Sequence, residues 1–423
     1  MCLSHQLFAD DMMGPSVSGQ TAGFNPYQQI GYQQVQPEYS GVVQAYCPPE
    51  QYGEEGTSEY TPLNFRRRQV GYESGETPYD AYLKNVFKQV WWRVDYLNWG
   101  IKGPGSNYVG ESVPGVEKPD DPFLQPFGPE GFSLVKVPSL DQTQLPNNNG
   151  IRVAAGLPTT FGEIEGSMFV LSQAEEEVNY DNFINQNSNI LNGLFPTYIG
   201  INTNFNGEKA LNIFPFDRSY MYRYTSQVFG SDLNIHWDLR KTDLGFNHDV
   251  LVGAKFLNVS ERFYQKGTAD ESGAVILYTE EIDSSSRNLI VGPQVGMRTE
   301  FKHQWFVLGV ENKVMLGMNN IQNNIKHASF NAVNNFGVTD QTQNTQNFAA
   351  AYDLHTYAKA KIGHNFWLNV GFNFMGVTGV SRPDDNITYD DDDLLFPMLI
   401  GMDSKLQTYF VQGISIGGEY RFY

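Results

Sequence analysis

The chain has 423 residues and a formal net charge of −19, from 28 basic and 47 acidic side chains, with 14% aromatics, 41 glycines and only 18% charged residues. Such acidity excludes nucleic-acid binding, which needs a concentrated basic surface, and disfavours a peripheral anchor on anionic lipid. No stretch approaches the ~18 to 20 apolar residues of a spanning helix, and Cys2 and Cys47 are too few for a disulfide framework or a cysteine zinc site.

Near the start, Leu7, Phe8 and Ala9 followed by Asp10 and Asp11 resemble a signal-peptidase site of the small-residue type, while Met1 to Phe8 lack a basic region and an apolar core of export-signal length. Residues 1–9 are therefore expected to be the remnant of a longer signal peptide. Residues 10–89 are rich in Gln, Pro, Tyr, Gly and Glu and hold no sustained period of two or 3.6. That composition cannot bury enough apolar area to offset chain entropy, which predicts a disordered segment. Its basic triplet Arg66, Arg67 and Arg68 reads as a solvated charge run.

From residue 90 the pattern changes to strict alternation, the signature of strands with one apolar and one polar face. Val90, Trp92, Val94 and Tyr96 share one parity, and Arg93 and Asp95 share the other with Trp91, Leu97 and Trp99. A Pro/Gly/Asn-rich connection from Pro104 to Asn149 follows, normal for the outer loops of a barrel. Ile151, Val153, Ala155 and Leu157 then oppose Arg152, and Ile164, Gly166, Met168 and Val170 oppose Glu163 and Glu165. After a polar, Asn-rich excursion from Glu175 to about Tyr224, the cleanest strand sets Phe229, Leu233, Ile235, Trp237 and Leu239 against Asp232, Asn234, His236 and Asp238.

Further alternating runs start near Val250, Leu289, Phe306, Tyr352 and Phe366, with Lys255, Arg298, Glu300, Glu311, Lys313, Asp353, His355, Lys359 and Lys361 on their polar parities. The final run, Thr408 to Tyr423, places Phe410, Ile414, Ile416, Tyr420 and Phe422 opposite Ser415, Gly417, Glu419 and Arg421. With weaker strands near Ala210–Phe214 and Val275–Ile282, the expectation is an all-β fold: a transmembrane, up-and-down antiparallel β-barrel of about twelve strands over residues 90–423. The polar parities would line the lumen, where near-balanced acids and bases should pair across the ladder and partly close it.

Tyr96-Leu97-Asn98-Trp99 with Lys102-Gly103, Asn149 to Val153 with Gly162 to Ser167, Gly230 to Asn234 with Leu251 to Leu257 and Glu261, Gly371 to Phe374 with Val380 to Asp384, and the closing Glu419 to Phe422 occur in this order. Together they resemble the BBP7-type outer-membrane β-barrel porins of planctomycete-type bacteria. The resemblance covers about residue 90 to the end and implies a bacterial outer-membrane location, with outer-membrane lipid and the barrel-assembly machinery as partners. The sequence departs from that pattern at Asp384, where Gly is usual, at the acidic run Asp390 to Asp393, and at Tyr423, one residue beyond the usual terminal aromatic.

No nucleophile elbow, HExxH helix, P-loop or dinucleotide fingerprint occurs, so a non-enzymatic role without a cofactor is expected. His236 with Asp232 and Asp238 could ligate a metal, and Glu163 with Glu165 could form a glycosidase pair, but a polar lumen explains both more simply. Asp384, Asp385, Asp390, Asp391, Asp392 and Asp393 read as a solvated acidic loop, without the spacing and glycine of an EF-hand. The functional expectation is a narrow diffusion pore for small solutes or ions, or a structural envelope component. A soluble, exported β-sandwich binding protein is the alternative, since its strands would show the same period.

Overall fold

The computed structural model describes residues 90–422 except 106–107, 112–122, 126–132, 160–161, 188–196, 206–207, 243–244, 271–276, 332–334 and 392–397. The expectations for residues 1–9 and 10–89 lie outside the described residues. In chain order the strands are β1 (Trp91–Ile101), β2 (Phe123–Gln125), β3 (Ser133–Lys136), β4 (Leu145–Thr159), β5 (Gly162–Leu171), β6 (Ala174–Asn179), β7 (Thr197–Phe205) and β8 (Glu208–Phe216). They continue with β9 (Ser219–Lys241), β10 (Phe246–Asp270), β11 (Leu277–Lys302), β12 (Phe306–Asn331), β13 (Asn335–Lys361), β14 (Phe366–Ser381), β15 (Ile387–Asp391), β16 (Leu399–Met402) and β17 (Leu406–Arg421). A short helix α1 (Asp181–Asn187) precedes β7. Among the described residues no helix is long and apolar enough to cross a membrane.

One antiparallel sheet closes into a ring in the order β1, β4, β5, β9, β10, β11, β12, β13, β14, β17 and back to β1. Closure runs the full length of β1, from Trp91 opposite Arg421 to Ile101 opposite Val411. β6 continues the column of β5 along β9, so the eleven strands of this sheet make ten columns. Among the described residues the ring therefore has ten columns, against the expected count of about twelve. The two weaker runs add no column: Ala210–Phe214 belongs to β8 in a separate sheet, and the described part of Val275–Ile282 is the outer end of β11.

The alternation survives folding as a belt of apolar side chains on the outside. Along β12, Phe306, Leu308, Val310, Val314, Leu316 and Met318 face outward and exposed. One turn of the pleat further, the outward positions become Asn320, Gln322 and Lys326, while Ile321 and Ile325 on the inward parity are buried. β10 does the same, moving from Val252 outside to Leu257, Val259 and Phe263 inside. The strands of one half of the ring, β9 to β13, are 23 to 27 residues long, against 10 to 16 for β1, β4, β5, β14 and β17. A span of ~9 to 11 residues crosses the hydrocarbon, so the tall half continues well beyond it.

The connections of the short half fill the concavity of the tall half. β2 and β3 come from the β1–β4 connection, β7 and β8 from β6–β9, and β15 and β16 from β14–β17; together they form a second, six-stranded sheet, here termed the cap. Its Ile199, Ile201, Phe214, Phe216, Ile387 and Tyr389 pack in one buried cluster with Tyr220, Tyr222, Phe263, Tyr278 and Ile282 of the wall. The excursions that read as polar loops thus carry a core. The sandwich alternative does not hold for the chain, because the main sheet closes on itself; only the end beyond the belt packs as two layers.

β14 leaves the wall to reach the cap. Its pairing with β13 ends at Ala351 opposite Val377, and its register on β17 shifts between Val377 and Val380. Gly379 sits there at φ 72°, with the Phe348 carbonyl 2.5 Å from where a Cβ would stand. Only glycine meets both demands.

The exchange of faces gives a direct test. Leu233 is 59% exposed on the outward parity within the apolar belt, so Leu233→Arg should cost roughly 2 to 4 kcal/mol if it lies near the bilayer midplane. Gln322→Arg, on the outward parity beyond the belt, should stay within about 0.5 kcal/mol. Unfolding in detergent by tryptophan fluorescence measures both, and equal tolerance would contradict the placement of the belt.

Candidate functional site in the barrel lumen

Alternation alone sends every second side chain into a narrow ring, where charges must find partners among themselves. Asp95 on β1 is fully buried and accepts from Arg152 Nε at 2.9 Å and Asn369 Nδ2 at 3.0 Å, with Arg93 Nε 3.2 Å away. Arg152 also donates to Asn373 Oδ1 at 2.8 Å and Ser415 Oγ at 3.3 Å, and lies 3.5 Å from the His355 ring. One guanidinium thereby joins β1, β4, β13, β14 and β17 across the lumen.

A second node is Arg298 on β11. It donates to Glu311 at 2.6 Å, to Glu163 at 3.4 Å and to Glu165, so it bridges β5 and β12. Lys313 lies 3.0 Å from Glu311 and 3.5 Å from Asp232, and Asn234 links Asp232 at 3.0 Å with Gln294 at 2.5 Å. Lys255 meets Asp353 at 2.7 Å. Toward the short turns, Glu419 accepts from Lys359 at 2.6 Å and Arg421 Nε at 2.7 Å, while Glu300 takes the Tyr357 hydroxyl at 2.7 Å and Lys302 at 2.8 Å. Lys361 stands 5.9 Å over the Trp367 ring, and Asp238 is exposed at the rim.

The proposed chemical pairs do not assemble as active sites. His236 is buried beside Glu165 at 3.6 Å, away from any open cluster with Asp232 and Asp238. Glu165, His236 and Glu311 do place ligand atoms within 4.8 Å of one another. Arg298 Nη2 bonds both of those carboxylates, however, so a guanidinium already occupies the position a metal ion would take. Glu163 and Glu165 share the same arginine, Arg298, which ties the two carboxylates to one cation.

Beyond this level the polar anchor is Arg382, which the lumen assignment by sequence omits. It is 2% exposed and donates to Glu261 Oε2 at 3.0 Å and Oε1 at 2.9 Å, to the Gly103 carbonyl at 2.9 Å and to the Tyr224 hydroxyl at 3.1 Å. The rings of Tyr224 and Tyr409 flank it at 5.5 and 5.6 Å. Ser286, Asn288, Asn319 and Asn323 of the wall hold the same turn through Ser381 and Gly379, at 2.8 to 3.2 Å. Glu261 could have been found by extending the parity of Lys255 along β10; Arg382 lies in an irregular segment where no parity applies.

The acidic stretch is not a uniformly solvated loop. Asp384 and Asp385 lie in the turn after Arg382, Asp390 and Asp391 lie in β15 of the cap, and Asp392 and Asp393 fall outside the described residues. Asp384 lies beside the Arg382 anchor, its Oδ1 taking the Tyr224 hydroxyl at 3.4 Å, and burial pushes its carboxyl up to about 6 against the opposing pull of Arg382.

Among known families, the model described as "Putative beta barrel porin-7 (BBP7)" matches residues 91–422. No curated protein matches the chain. Similar solved structures include a Pseudomonas aeruginosa FadL homologue, at 8% identity and TM-score 0.21, and the P. putida toluene transporter TodX, at 7% identity and TM-score 0.18. Each alignment covers 79% of this chain and 90% of the other.

Two outcomes follow for the anchor. Glu261→Gln leaves a buried guanidinium without its counter-charge and should destabilise the cap by about 3 to 5 kcal/mol, read as faster amide exchange in β7 and β15. For Asp384 the folded-state value of about 6 stands above the ordinary 3.8. The folded chain therefore holds a proton that the unfolded chain loses, and stability falls as pH rises between those values and stays lower above them. Asp384→Asn should be the more stable form at pH 8, with the advantage gone near pH 4, measured as thermal midpoints in detergent.

Proposed function

The chain belongs to the beta barrel porin-7 family, and from that premise we propose that it is a non-enzymatic barrel of the bacterial outer membrane, a narrow pore for ions or small solutes that is occluded at rest. Outer-membrane lipid and the barrel-assembly machinery are its partners in this reading. The observation that carries it is the state of the lumen: Asp95, Arg152, Glu165, Lys255, Glu311, Lys359 and Glu419 are all buried, and each is held by an opposite charge. Water-filled channels leave such side chains solvated, and ten strands lie close to the size at which side chains fill the interior.

A purely structural envelope role is the second reading, favoured by the apolar core between cap and wall. Planar-bilayer recordings separate the two. An occluded pore should carry little current as wild type and several-fold more when Arg298→Ala and Arg152→Ala remove both cross-lumen ties, provided the barrel still shows heat-modifiable migration. A large steady wild-type conductance would overturn the occluded state, and folded variants that stay silent would favour the structural role.

A further inference from the structure

The apolar belt is not evenly thick. On its outside an open trough of about 750 Å³ runs obliquely across β11 to β14 and onto β17. Its floor is made by the small side chains Thr356 and Ala358 on β13, between Leu308 and Val310 on β12 and Val370 and Phe372 on β14. These residues are direct cross-strand neighbours, so the trough follows two adjacent rows of the ladder. One end lies at Phe301, beside the last residue of β11, and the other at Ile414, midway along β17. The trough thus rises from the rim of short turns toward the middle of the belt, about the depth of one leaflet of a ~30 Å hydrocarbon core.

Two turns of the rim below it carry no carboxylate. The turns at 303–305 and 363–365 contain His303, Trp305 and His364 and no carboxylate, in a chain of net charge −19. Lys302 adjoins them, its side chain 48% exposed and its ammonium 2.8 Å from the buried Glu300, and Trp305 is 63% exposed. Of the acids at this end, Glu300, Asp249 and Glu419 are buried on the inward parity, while Asp238 on β9 is exposed at the rim. An exposed Trp beside Lys and His at the edge of an apolar belt suits a phosphate headgroup at the interface.

We propose that this trough is a binding site for one acidic glycerophospholipid, with an acyl chain laid over Thr356 and Ala358 and its phosphate at Lys302, His303 and His364. Small residues at the floor let the chain sit between the flanking rows, so the lipid is held in place rather than exchanging with the surrounding annulus. The inference rests on the membrane-spanning reading of the belt.

The test uses the full chain, equilibrated with phosphatidylglycerol or phosphatidylethanolamine in mixed micelles, stripped by detergent exchange and examined by native mass spectrometry. Wild type should retain one phosphatidylglycerol. Ala358→Phe, which fills the floor with an apolar side chain facing lipid, should lower retention at least about tenfold while heat-modifiable migration persists; Thr356→Leu serves if the first variant fails to fold. His303→Glu with His364→Glu should remove the preference for phosphatidylglycerol over phosphatidylethanolamine. Equal retention by folded wild type and floor variants overturns the site, as does an oligomer that Ala358→Phe dissolves, which would mark the trough as a contact between copies. A chain that stays dispersed without detergent overturns this inference and the membrane reading together.

Discussion

The structure depends on a change of solvent along each long strand. Within the belt the outside of the wall meets hydrocarbon and the inside meets other polar side chains; beyond it the outside meets water and the inside must be dry to hold the cap. A strand has only two faces, so its apolar residues must move from one parity to the other where the solvent changes. β12 makes that exchange between Met318 and Ile321, and β10 between Phe256 and Leu257. Backbone pairing is indifferent to the exchange, since the ladders of β10 with β11 and of β12 with β13 run without a register shift across it.

Below the exchange the interior is organised by charge. Removing an ion from water costs several kcal/mol, which an imperfect pair does not repay. The lumen answers with shared partners: Asp95 serves two arginines and an asparagine, and Arg298 serves three glutamates. Such ties span strands that are not neighbours in the ring, so they brace the barrel across its diameter. The same ties occupy the space that ions would need, and they satisfy the carboxylates that a metal or a glycoside substrate would need.

Above the exchange the apolar cap is located by polar contacts. Apolar packing is non-directional and would tolerate the cap in several positions. Arg382 selects one, because four donor contacts, to Glu261, Tyr224 and the Gly103 carbonyl, must be met together. Gly379 supplies the backbone geometry that delivers Arg382 there. Asp384, held near this pair at a cost to its charged form, makes the anchor sensitive to pH around its value of about 6.

Period-two alternation located the wall strands of this protein; that they close into a ring of ten was decided by the pairing of β1 with β17. The ten runs with apolar and polar parities are the ten columns of the ring, and Asp95, Arg152, Glu165, Asn234, Lys255 and Glu311 of the polar parities are buried, because a strand's pleat sends alternate side chains to opposite faces. What alternation could not supply was the upper half. Runs such as Tyr220 to Tyr224 carry apolar residues on the inward parity, and they read as loop because Met221 breaks the polar alternation opposite them and their surroundings are rich in Asn. The cap strands β2, β3, β15 and β16 are three to five residues long, too short for a period to show, and β3 and β15 are joined into one sheet by pairing with β7, distant in the chain. Which charges share a partner was equally a tertiary matter: Arg152 and Asn373, or Arg382 and Glu261, are brought together by ring closure and by the inward turn of β14, and no spacing in the sequence encodes those distances.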